Sequence, residues 1–490
     1  MRRAPTRANS AATKKALAST RTTTATKPSS IGGDSAGSIR PKSSQAAATL
    51  RGRHLIRRLT VPPFESLEAF LPRLSVADAA TREAVRGILD RVMVRGDAAV
   101  QEYTRQFDGV DIGPREWELE TGVWHDALGR ISVELRDALA RAVQRVTEYH
   151  QRQREEGFHL ADPDGTVVGM KVAPLDRVGL YVPGGKASYP STVVMNAVPA
   201  LVAGVQEIVA VVPPQGVTDV VLAACALSGV TRVFRVGGAQ AIAALAYGTR
   251  TIPRVDKIVG PGNRWVAEAK RQVVGLVGID MIAGPTELLI LADGTARADR
   301  IALDLIAQAE HDEDASSWCV TTDADLAEAL PRVLDDALNR NPRAAIARAA
   351  LERNGLIVVA GSMRDAIEVV NRRAPEHVEI IAEGTERVAS AIRNAGAIFL
   401  GDDTPEPVGD YLAGPSHVLP TGGTARYASP LGVYDYVKRT SVIRYAPARL
   451  AEDAAAIIAL AEAEGLYGHA EAVRSRIGGG AAAGQRGSGK

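Results

Sequence analysis

Hydrophobic and polar residues follow two different patterns along the chain. Between residues 51 and 175, apolar residues recur at spacings of three and four, as in VADAATREAVRGILDRVMVRGDAAVQEYTRQF. This spacing predicts a helical region that packs on the core. From residue 176 onward, short β-branched runs that end in Gly or Pro alternate with helical stretches. Such alternation is typical of βαβ units and predicts parallel sheets covered by helices.

The alternation divides into two α/β domains. Residues 176–285 hold the runs DRVGLYVPGG, EIVAVVPP, TRVFRVGG and DKIVGPG, and residues 286–430 hold ELLILAD, SSWCVTTD, GLIVVAG, HVEIIA and AIFLG. The predicted fold class is α/β, with two open, mostly parallel sheets flanked by helices in an incomplete Rossmann-like arrangement. In such sheets ligands bind beyond the carboxyl ends of the strands, so we expect the glycine-rich turns and histidine motifs to lie there.

The remaining segments are predicted to lie outside these domains. Residues 431–477 show a long helical pattern and form a C-terminal helical segment. Residues 1–50 are rich in Ser, Thr, Ala, Arg and Lys, with Asp34 as their only acid, and are predicted to be a disordered extension. Residues 478–490 are low in complexity and form a flexible tail.

Charge and cysteine content exclude several classes of protein. The net charge of +1 gives no overall basic field, so neither nucleic acid nor a membrane is expected as a partner. No run of about 18 apolar residues occurs, so no membrane span is predicted. Cys225 and Cys319 each lie in an apolar run and are predicted to be reduced, buried thiols, which indicates the cytoplasm. The alternative is an organelle, if residues 1–50 are a transit peptide.

Histidine beside carboxylate or amide marks the candidate chemistry, in a chain with only 8 histidines. Gln308 and His311 stand three apart near the end of a predicted amphipathic helix, so both can address one metal ion. The competing interpretation is a polar last turn favoured by the helix dipole. By contrast His125, His150 and His159 lie among Arg and Glu and are predicted to be surface residues.

Glu376 and His377 form a second cluster. They follow Pro375, which keeps Ala374 out of the right-handed helical region and ends the preceding helix abruptly. Adjacent side chains in an extended segment point to opposite sides, so the pair can serve two partners, such as a water molecule and a substrate proton. The alternative is a solvated turn before the strand HVEIIA.

The C-terminal third holds two further clusters. Asp410 and His417 lie in a loop rich in Gly and Pro that suits a binding wall, or that is an ordinary turn. Glu464 and His469 are five apart, which on a straight helix separates them by about 140°. With Gly465 between them the geometry loosens, but alone they resemble surface residues.

Three glycine-rich turns each precede a helical stretch, at residues 182–186, 236–240 and 260–263. Backbone N–H groups at such junctions suit phosphates. None of the turns is a G-x-G-x-x-G, so the pattern alone indicates a dinucleotide only weakly.

Taken in order, these motifs resemble the histidinol dehydrogenase family over roughly residues 60–475. The matching stretches are RVGLYVPGGKASYPSTVVMNAVPA, VGGAQAIAALAYGT, KIVGPGNRWVAEAK, DMIAGPTELLILAD, QAEHDEDA, APEHVEI, GDYLAGPSHVLPTGGTARYASPLGVYDYVKRTSVI and AEAEGLYGHAEAVRSR. The resemblance implies an enzyme of histidine biosynthesis with one zinc ion per subunit, which oxidises L-histidinol through L-histidinal to L-histidine with two NAD+. It also implies a domain-swapped homodimer, in which the C-terminal helical segment reaches the partner subunit.

The resemblance also assigns roles by motif. It implies that Glu376 and His377 are the catalytic pair. It implies substrate contacts for Thr286, His377, His417, Glu464 and the metal ligands. It places NAD against Tyr181, Gln240 and Asn263. The implied zinc ligands are Gln308, His311, Asp410 and His469.

Two positions depart from the family pattern, and they keep other substrates open. Thr286 stands where Ser is common, and Ser416 stands where Asn is common. The alternative function is a related zinc and NAD dehydrogenase that acts on another small polar alcohol. A zinc hydrolase that needs no NAD+ and a non-catalytic binding protein are more distant rivals.

Overall fold

The computed structural model describes residues 55–71, 77–184 and 189–477. The extension 1–50, the tail 478–490 and part of the first glycine-rich turn lie outside the described residues. The strands are β1 (Arg57–Val61), β2 (Phe158–Ala161), β3 (Val167–Pro174), β4 (Arg177–Tyr181), β5 (Glu207–Val211), β6 (Arg232–Phe234), β7 (Lys257–Val259), β8 (Gly278–Ile279), β9 (Glu287–Ala292), β10 (Ser316–Thr321), β11 (Leu356–Ala360), β12 (His377–Ile381), β13 (Ala397–Leu400) and β14 (Val437–Arg444).

Helices connect and cover these strands. They are α1 (Ala79–Arg95), α2 (Asp97–Tyr103), α3 (Pro114–Trp117), α4 (Thr121–His125), α5 (Val133–Gln151), α6 (Pro190–Ala203), α7 (Asp219–Leu227), α8 (Gly238–Tyr247), α9 (Arg264–Gln272), α10 (Ala298–Ala309), α11 (Ala324–Leu338), α12 (Ala344–Asn354), α13 (Met363–Arg373), α14 (Thr385–Ala391), α15 (Pro407–Tyr411), α16 (Pro447–Ala463) and α17 (Tyr467–Ile477).

Two open parallel sheets form the core, as the sequence predicts. The first sheet has the order β6-β5-β4-β7-β8, and the second has the order β1-β11-β10-β9-β12-β13. Every strand pair within them is parallel. With β1 set aside, both sheets follow the same 3-2-1-4-5 order of a Rossmann-like half. The central strand β9 is buried along its whole length, which explains its unbroken apolar run.

Two regions predicted as helical also contain strands. Within residues 51–175, β1 pairs in parallel with β11 at the edge of the second sheet. Within the same region, β2 and β3 form an antiparallel sheet with β14, which begins the segment 431–477. The helical assignment of both regions is therefore corrected in part. The pairs of β1 with β11 and of β3 with β14 join residues more than 260 positions apart, which local periodicity cannot show.

Burial confirms one prediction and contradicts another. Cys225 and Cys319 are free and fully buried, and burial raises the pKa of each thiol to about 12. His150, predicted to lie on the surface, is instead fully buried on the inner face of α5. Its Nδ1 lies 2.7 Å from the carbonyl oxygen of Val146, one helical turn earlier. This position shields the imidazole from water and lowers its pKa below the ordinary value of 6.5.

The buried imidazole makes stability depend on pH. Below pH 6.5 the unfolded chain protonates His150, while the folded chain resists that proton because its pKa is lower. We therefore expect the free energy of unfolding to fall as the pH drops below 6.5. Urea unfolding of the wild type and of His150→Gln between pH 7.5 and 5.5 measures this, and the variant should lose less stability over that range. His125 is exposed, so the His125→Gln variant should show the same pH dependence of unfolding free energy as the wild type. If this dependence were equal in all three proteins, its assignment to His150 would be contradicted.

The described helices include none that is both long enough and apolar enough to cross a bilayer.

Candidate active site

The candidate site forms at the amino ends of two neighbouring strands of the second sheet. Thr286 immediately precedes β9, while Glu376 and His377 stand at the start of β12, which pairs with β9. The last turn of α10 reaches the same edge, where Gln308 Nε2 donates a hydrogen bond to Thr286 Oγ1. The expectation that the histidine motifs lie beyond the carboxyl ends of the strands is therefore wrong for this sheet.

Glu376 is held on one carboxylate oxygen. Its Oε2 accepts a hydrogen bond of 2.7 Å from the Thr286 hydroxyl and one of 2.8 Å from the backbone N–H of Glu287. The side chain is buried, and this burial raises the pKa of Glu376 well above its ordinary value, against the effect of the two hydrogen bonds. The carboxylate of Glu376 is therefore a stronger base than that of an exposed glutamate.

His377 is buried and neutral. Burial lowers its pKa to about 4, although the nearby Asp410 acts in the opposite direction. Its Nδ1 lies 3.0 Å from the backbone carbonyl oxygen of Glu287. Because a carbonyl can only accept, Nδ1 carries the proton and Nε2 presents a lone pair. At pH 7 the imidazole is thus neutral, with its Nε2 unprotonated.

Glu287 anchors both members of the pair. Its backbone N–H binds Glu376 and its carbonyl oxygen binds His377. Its own carboxylate Oε1 lies 3.0 Å from Arg373 Nη2 and accepts a hydrogen bond of 3.1 Å from the Gly422 N–H. The Arg373 and Glu287 side chains are only 5% and 8% exposed, so the ion pair is largely shielded from water. The Glu287 backbone positions Glu376 and His377, and the contacts of the Glu287 side chain with Arg373 and Gly422 hold that backbone in place.

Ala374 has an unusual backbone conformation just before this pair. It ends α13 with φ 48° and ψ 60°, and it is the one non-glycine residue with positive φ in the described part of the chain. This left-handed conformation costs an alanine about 1–2 kcal/mol. The sequence prediction that Pro375 keeps Ala374 out of the right-handed helix is confirmed. Strain of this kind persists where the surroundings fix the chain, as they do here next to Glu376.

A cluster of metal-binding side chain types lies beside His377. Side-chain atoms of His377, Glu406 and Asp410 all lie within 4.8 Å of one another. His377 Nε2 is 3.6 Å from Glu406 Oε1, and His417 Nδ1 is 3.4 Å from Asp410 Oδ1. Burial and the neighbouring Asp410 raise the pKa of Glu406. Burial acts the same way on Asp410, but the hydrogen bond and charge of His417 outweigh it and lower the pKa of Asp410. Of the two acids Glu406 and Asp410, it is therefore Asp410 that carries the negative charge.

Gln308 provides a second indication of a ligand. The residue is fully buried, and its Nε2 donates to Thr286, but its carbonyl oxygen Oε1 has no hydrogen-bond partner in the part of the chain that the structure describes. A buried acceptor without a partner costs free energy unless an ion or a ligand reaches it. His311, two residues beyond the end of α10, is exposed but acts electrostatically on His377 and Asp410. Oxygen and imidazole ligands without a thiolate suit zinc, and also manganese or cobalt.

Glu406 was missed at the sequence level. It lies between Pro405 and Pro407, in a segment without helical or strand periodicity, and no histidine stands beside it. A usable signal was the four-residue spacing from Asp410, which places the two acids on one face of the short helix α15. Its backbone N–H is held by Glu379 Oε1 at 2.6 Å.

The three residues assigned to NAD lie at the carboxyl ends of the first sheet, where the general rule places ligands. Tyr181 ends β4, and its hydroxyl accepts a hydrogen bond of 3.1 Å from the N–H of Gly238. Gln240 lies in the first turn of α8 and is fully buried, and neither of its amide atoms is paired with another described residue. Asn263 caps α9 through Oδ1, and the residue is exposed. An unpaired buried amide next to a helix start suits a polar ligand such as a dinucleotide.

Glu464 and His469 are not part of this cluster within the single chain. Both are exposed, Glu464 after the end of α16 and His469 in the first turn of α17. The two helices pack against each other. The group of His377, Glu406 and Asp410, found among the described residues, includes neither.

The two departures from the family pattern have different consequences. Thr286 keeps the role of a hydroxyl, since its Oγ1 binds both Glu376 and Gln308. Ser416 is buried, donates to the carbonyl oxygen of Met195 at 3.1 Å and accepts from the Val418 N–H at 3.2 Å. Its hydroxyl therefore ties the loop to α6.

The chain resembles known proteins over most of its length. A model of the histidinol dehydrogenase family matches residues 71–477. The chain is 50% identical over 434 residues to the histidinol dehydrogenase of Pseudomonas syringae pv. syringae, covering 86% of this chain and 96% of that protein. It is 49% identical over 392 residues to that of Oceanobacillus iheyensis, covering 79% and 91%. The crystal structure of histidinol dehydrogenase from Elizabethkingia anophelis superposes with a TM-score of 0.82 at 31% identity, covering 87% of this chain and 99% of that one.

Proposed function

Because this chain belongs to the histidinol dehydrogenase family of NAD-dependent oxidoreductases, we propose that it oxidises L-histidinol through L-histidinal to L-histidine with two NAD+ and one zinc ion per subunit. The observation that carries this proposal is the buried pair of Glu376 and His377, both of which the backbone of Glu287 holds in place. A carboxylate and an imidazole positioned side by side suit acid–base catalysis.

His377 acts in both oxidations. In the first, its Nε2 takes the proton of the alcohol hydroxyl while Nδ1 stays bonded to the Glu287 carbonyl oxygen. When bound, NAD+ would supply the hydride acceptor, and a zinc ion held by the assigned ligands would help to orient the substrate. After its proton passes to solvent, His377 is neutral again and takes a hydroxyl proton in the second oxidation.

Glu376 acts between the two oxidations. A water molecule adds to the carbonyl carbon of L-histidinal, and the Glu376 carboxylate takes a proton from it. The raised pKa makes this carboxylate a good acceptor, while the Thr286 hydroxyl and the Glu287 N–H hold it in place. The whole reaction consumes one water, transfers two hydrides and releases three protons.

The residues present fit a zinc ion. We assign Gln308, His311 and Asp410 as ligands from one subunit, with His469 of the partner subunit as the fourth. The unpaired Gln308 Oε1 and the charged Asp410 support the first and third of these. A set of amide oxygen, carboxylate and imidazole is within the known range of zinc chemistry.

Exposed apolar side chains support the dimer that this assignment requires. Around β2, β14 and the α16–α17 pair, Leu160 is 61% exposed, Ile443 70%, Leu460 67% and Tyr467 72%. Exposed apolar side chains on these elements suit contact with a second copy of the chain. A homodimer that exchanges this C-terminal part covers the apolar surface and completes each site with Glu464 and His469 of the partner subunit.

The experiment that tests the function measures product stoichiometry. Purified, zinc-loaded protein is incubated with L-histidinol and excess NAD+, and both NADH and L-histidine are quantified. We expect about two NADH per histidine, because the oxidation removes four electrons and each NAD+ accepts two. With L-histidinal as substrate, the ratio should fall to about one. Absence of NADH with L-histidinol in zinc-loaded, dimeric protein would contradict the substrate, and activity on another small alcohol would then favour the related dehydrogenase.

A further inference from the structure

We propose that the buried ion pair between Lys270 and Asp280 is a positioning element for NAD+, because it fixes the turn at residues 260–263 in its binding conformation. The inference rests on the proposed function, in which Tyr181 and Asn263 contact NAD+. Neither Lys270 nor Asp280 touches the reacting atoms, so both are positioning residues.

The pair binds both backbone polar groups of one residue in that turn. The N–H of Gly260 donates to Asp280 Oδ2 at 2.8 Å, and the carbonyl oxygen of Gly260 accepts from Lys270 Nζ at 2.9 Å. Lys270 Nζ also contacts Asp280 Oδ1, which accepts a hydrogen bond of 2.6 Å from the Met281 N–H. The side chains of Lys270 and Asp280 are 3% and 1% exposed. The ion pair therefore joins the turn after β7 to α9 and to the end of β8.

Gly260 lies in close contact with Tyr181, the last residue of β4. Its φ is +104°, and a Cβ atom added there would lie 2.3 Å from the carbonyl oxygen of Tyr181. The turn therefore has space for glycine alone, in a conformation that side chains rarely adopt. The backbone bonds from Lys270 and Asp280 hold it there, so that Asn263 starts α9 at the switch point of the sheet, where β4 and β7 are neighbours.

An ion pair at this depth is not explained by stability alone. Desolvation of two buried charges offsets much of their attraction, and apolar side chains of similar size often serve the fold as well. Here the side chains of Lys270 and Asp280 form hydrogen bonds with the backbone of Gly260 and Met281. That use of the charges fits a rigid turn, which lowers the ordering cost of binding a ligand.

The test is the Lys270→Met variant of the full-length, zinc-loaded enzyme, which removes the ammonium group and keeps the length of the side chain. We expect the KM for NAD+ and the Kd for NADH to rise roughly 10- to 100-fold, as for a misplaced binding group. The kcat at saturating NAD+ and the KM for L-histidinol should stay near the wild-type values, because only cofactor binding is weakened.

A matched control is Lys257→Met, which removes another lysine–aspartate pair of the same sheet. Lys257 Nζ lies 2.8 Å from Asp435 Oδ1 and does not contact the turn. Its Tm should fall while its KM for NAD+ stays unchanged. Equal effects of the two variants on NAD+ binding would reduce Lys270 to a general structural role and overturn the proposal.

Two further variants keep the test decisive. Asp280→Asn retains the shape of the side chain, so this variant replaces Lys270→Met if the Lys270→Met protein does not fold. An unchanged KM for NAD+ in a folded variant overturns the proposal. Asn263→Ala separates this inference from the proposed function. If Asn263→Ala weakens NADH binding and the Lys270 and Asp280 variants do not, the positioning role fails alone; if Asn263→Ala has no effect, the assigned NAD+ site itself fails.

Discussion

We expect the His377→Asn variant to oxidise L-histidinol with a kcat about 10²- to 10⁴-fold below that of the wild type. An asparagine amide can still donate to the Glu287 carbonyl oxygen, as His377 Nδ1 does. It has no basic nitrogen in place of Nε2, so neither the alcohol nor the aldehyde hydrate finds a proton acceptor. Steady-state NADH formation with L-histidinol and with L-histidinal measures the loss, which should affect both substrates because the same imidazole serves both oxidations.

Zinc content and a surface histidine provide the controls for this variant. His125 is exposed in α4, and His125→Asn should retain wild-type kcat. His377 also lies within the group that includes Glu406 and Asp410, so zinc must be quantified in the purified variant. Wild-type zinc with low kcat supports a base, whereas loss of zinc would show that His377 binds the metal. A kcat close to that of the wild type would contradict both roles.

The Asp410→Asn variant should lose zinc. Asparagine keeps the shape of the side chain but removes the negative charge, which the lowered pKa of Asp410 keeps present at neutral pH. Loss of a second-shell partner costs about 10–100-fold in metal affinity, and we expect at least the upper end of this range for a direct ligand. Zinc measured after dialysis should fall far below one ion per subunit, and NADH formation should fall with it. Added zinc should restore part of the activity.

Asp403→Asn is the matched control, because it removes an aspartate from the same segment. The Asp403 side chain is 95% exposed and pairs only at the surface with Arg300, at 3.0 Å. This variant should retain its zinc and its activity. Full zinc occupancy in dialysed Asp410→Asn would contradict the ligand assignment.

Periodicity predicted the elements of the core but not their long-range partners. The runs that became β4, β5, β9, β10 and β12 are buried on both faces, so their unbroken apolar character was visible in the sequence. Strand β1 was not recognised, because its burial alternates and its partner β11 lies some 300 residues away. Strands β2 and β14 are largely exposed and β3 is half-buried, so they lack the apolar run that marks a fully buried strand.

The candidate site was likewise predicted only in part: most of its side chains were identified from the sequence, but the backbone that holds them was not. Motif resemblance selected Thr286, Gln308, Glu376 and His377, and hydrogen bonds link all but His377 through Thr286 Oγ1 and Glu376 Oε2. The sequence could not show that Glu287, by its backbone, holds both Glu376 and His377, since main-chain groups carry no sequence signal. Nor could it show that the second sheet uses its amino ends. That placement depends on how α10 and α13 return to the sheet.

In the proposed dimer, the exposed Glu464 and His469 of one copy complete the site of the other, so catalytic competence is shared between two copies of the chain. A His377→Asn subunit and a His469→Asn subunit are each expected to form inactive homodimers. In a mixed dimer, however, one of the two sites combines the unchanged His377 of one copy with the unchanged His469 of the other. Random exchange of equal amounts should therefore restore about a quarter of the wild-type activity, since half of the dimers are mixed and each has one whole site. Two defective alleles of this enzyme would complement each other within one cell.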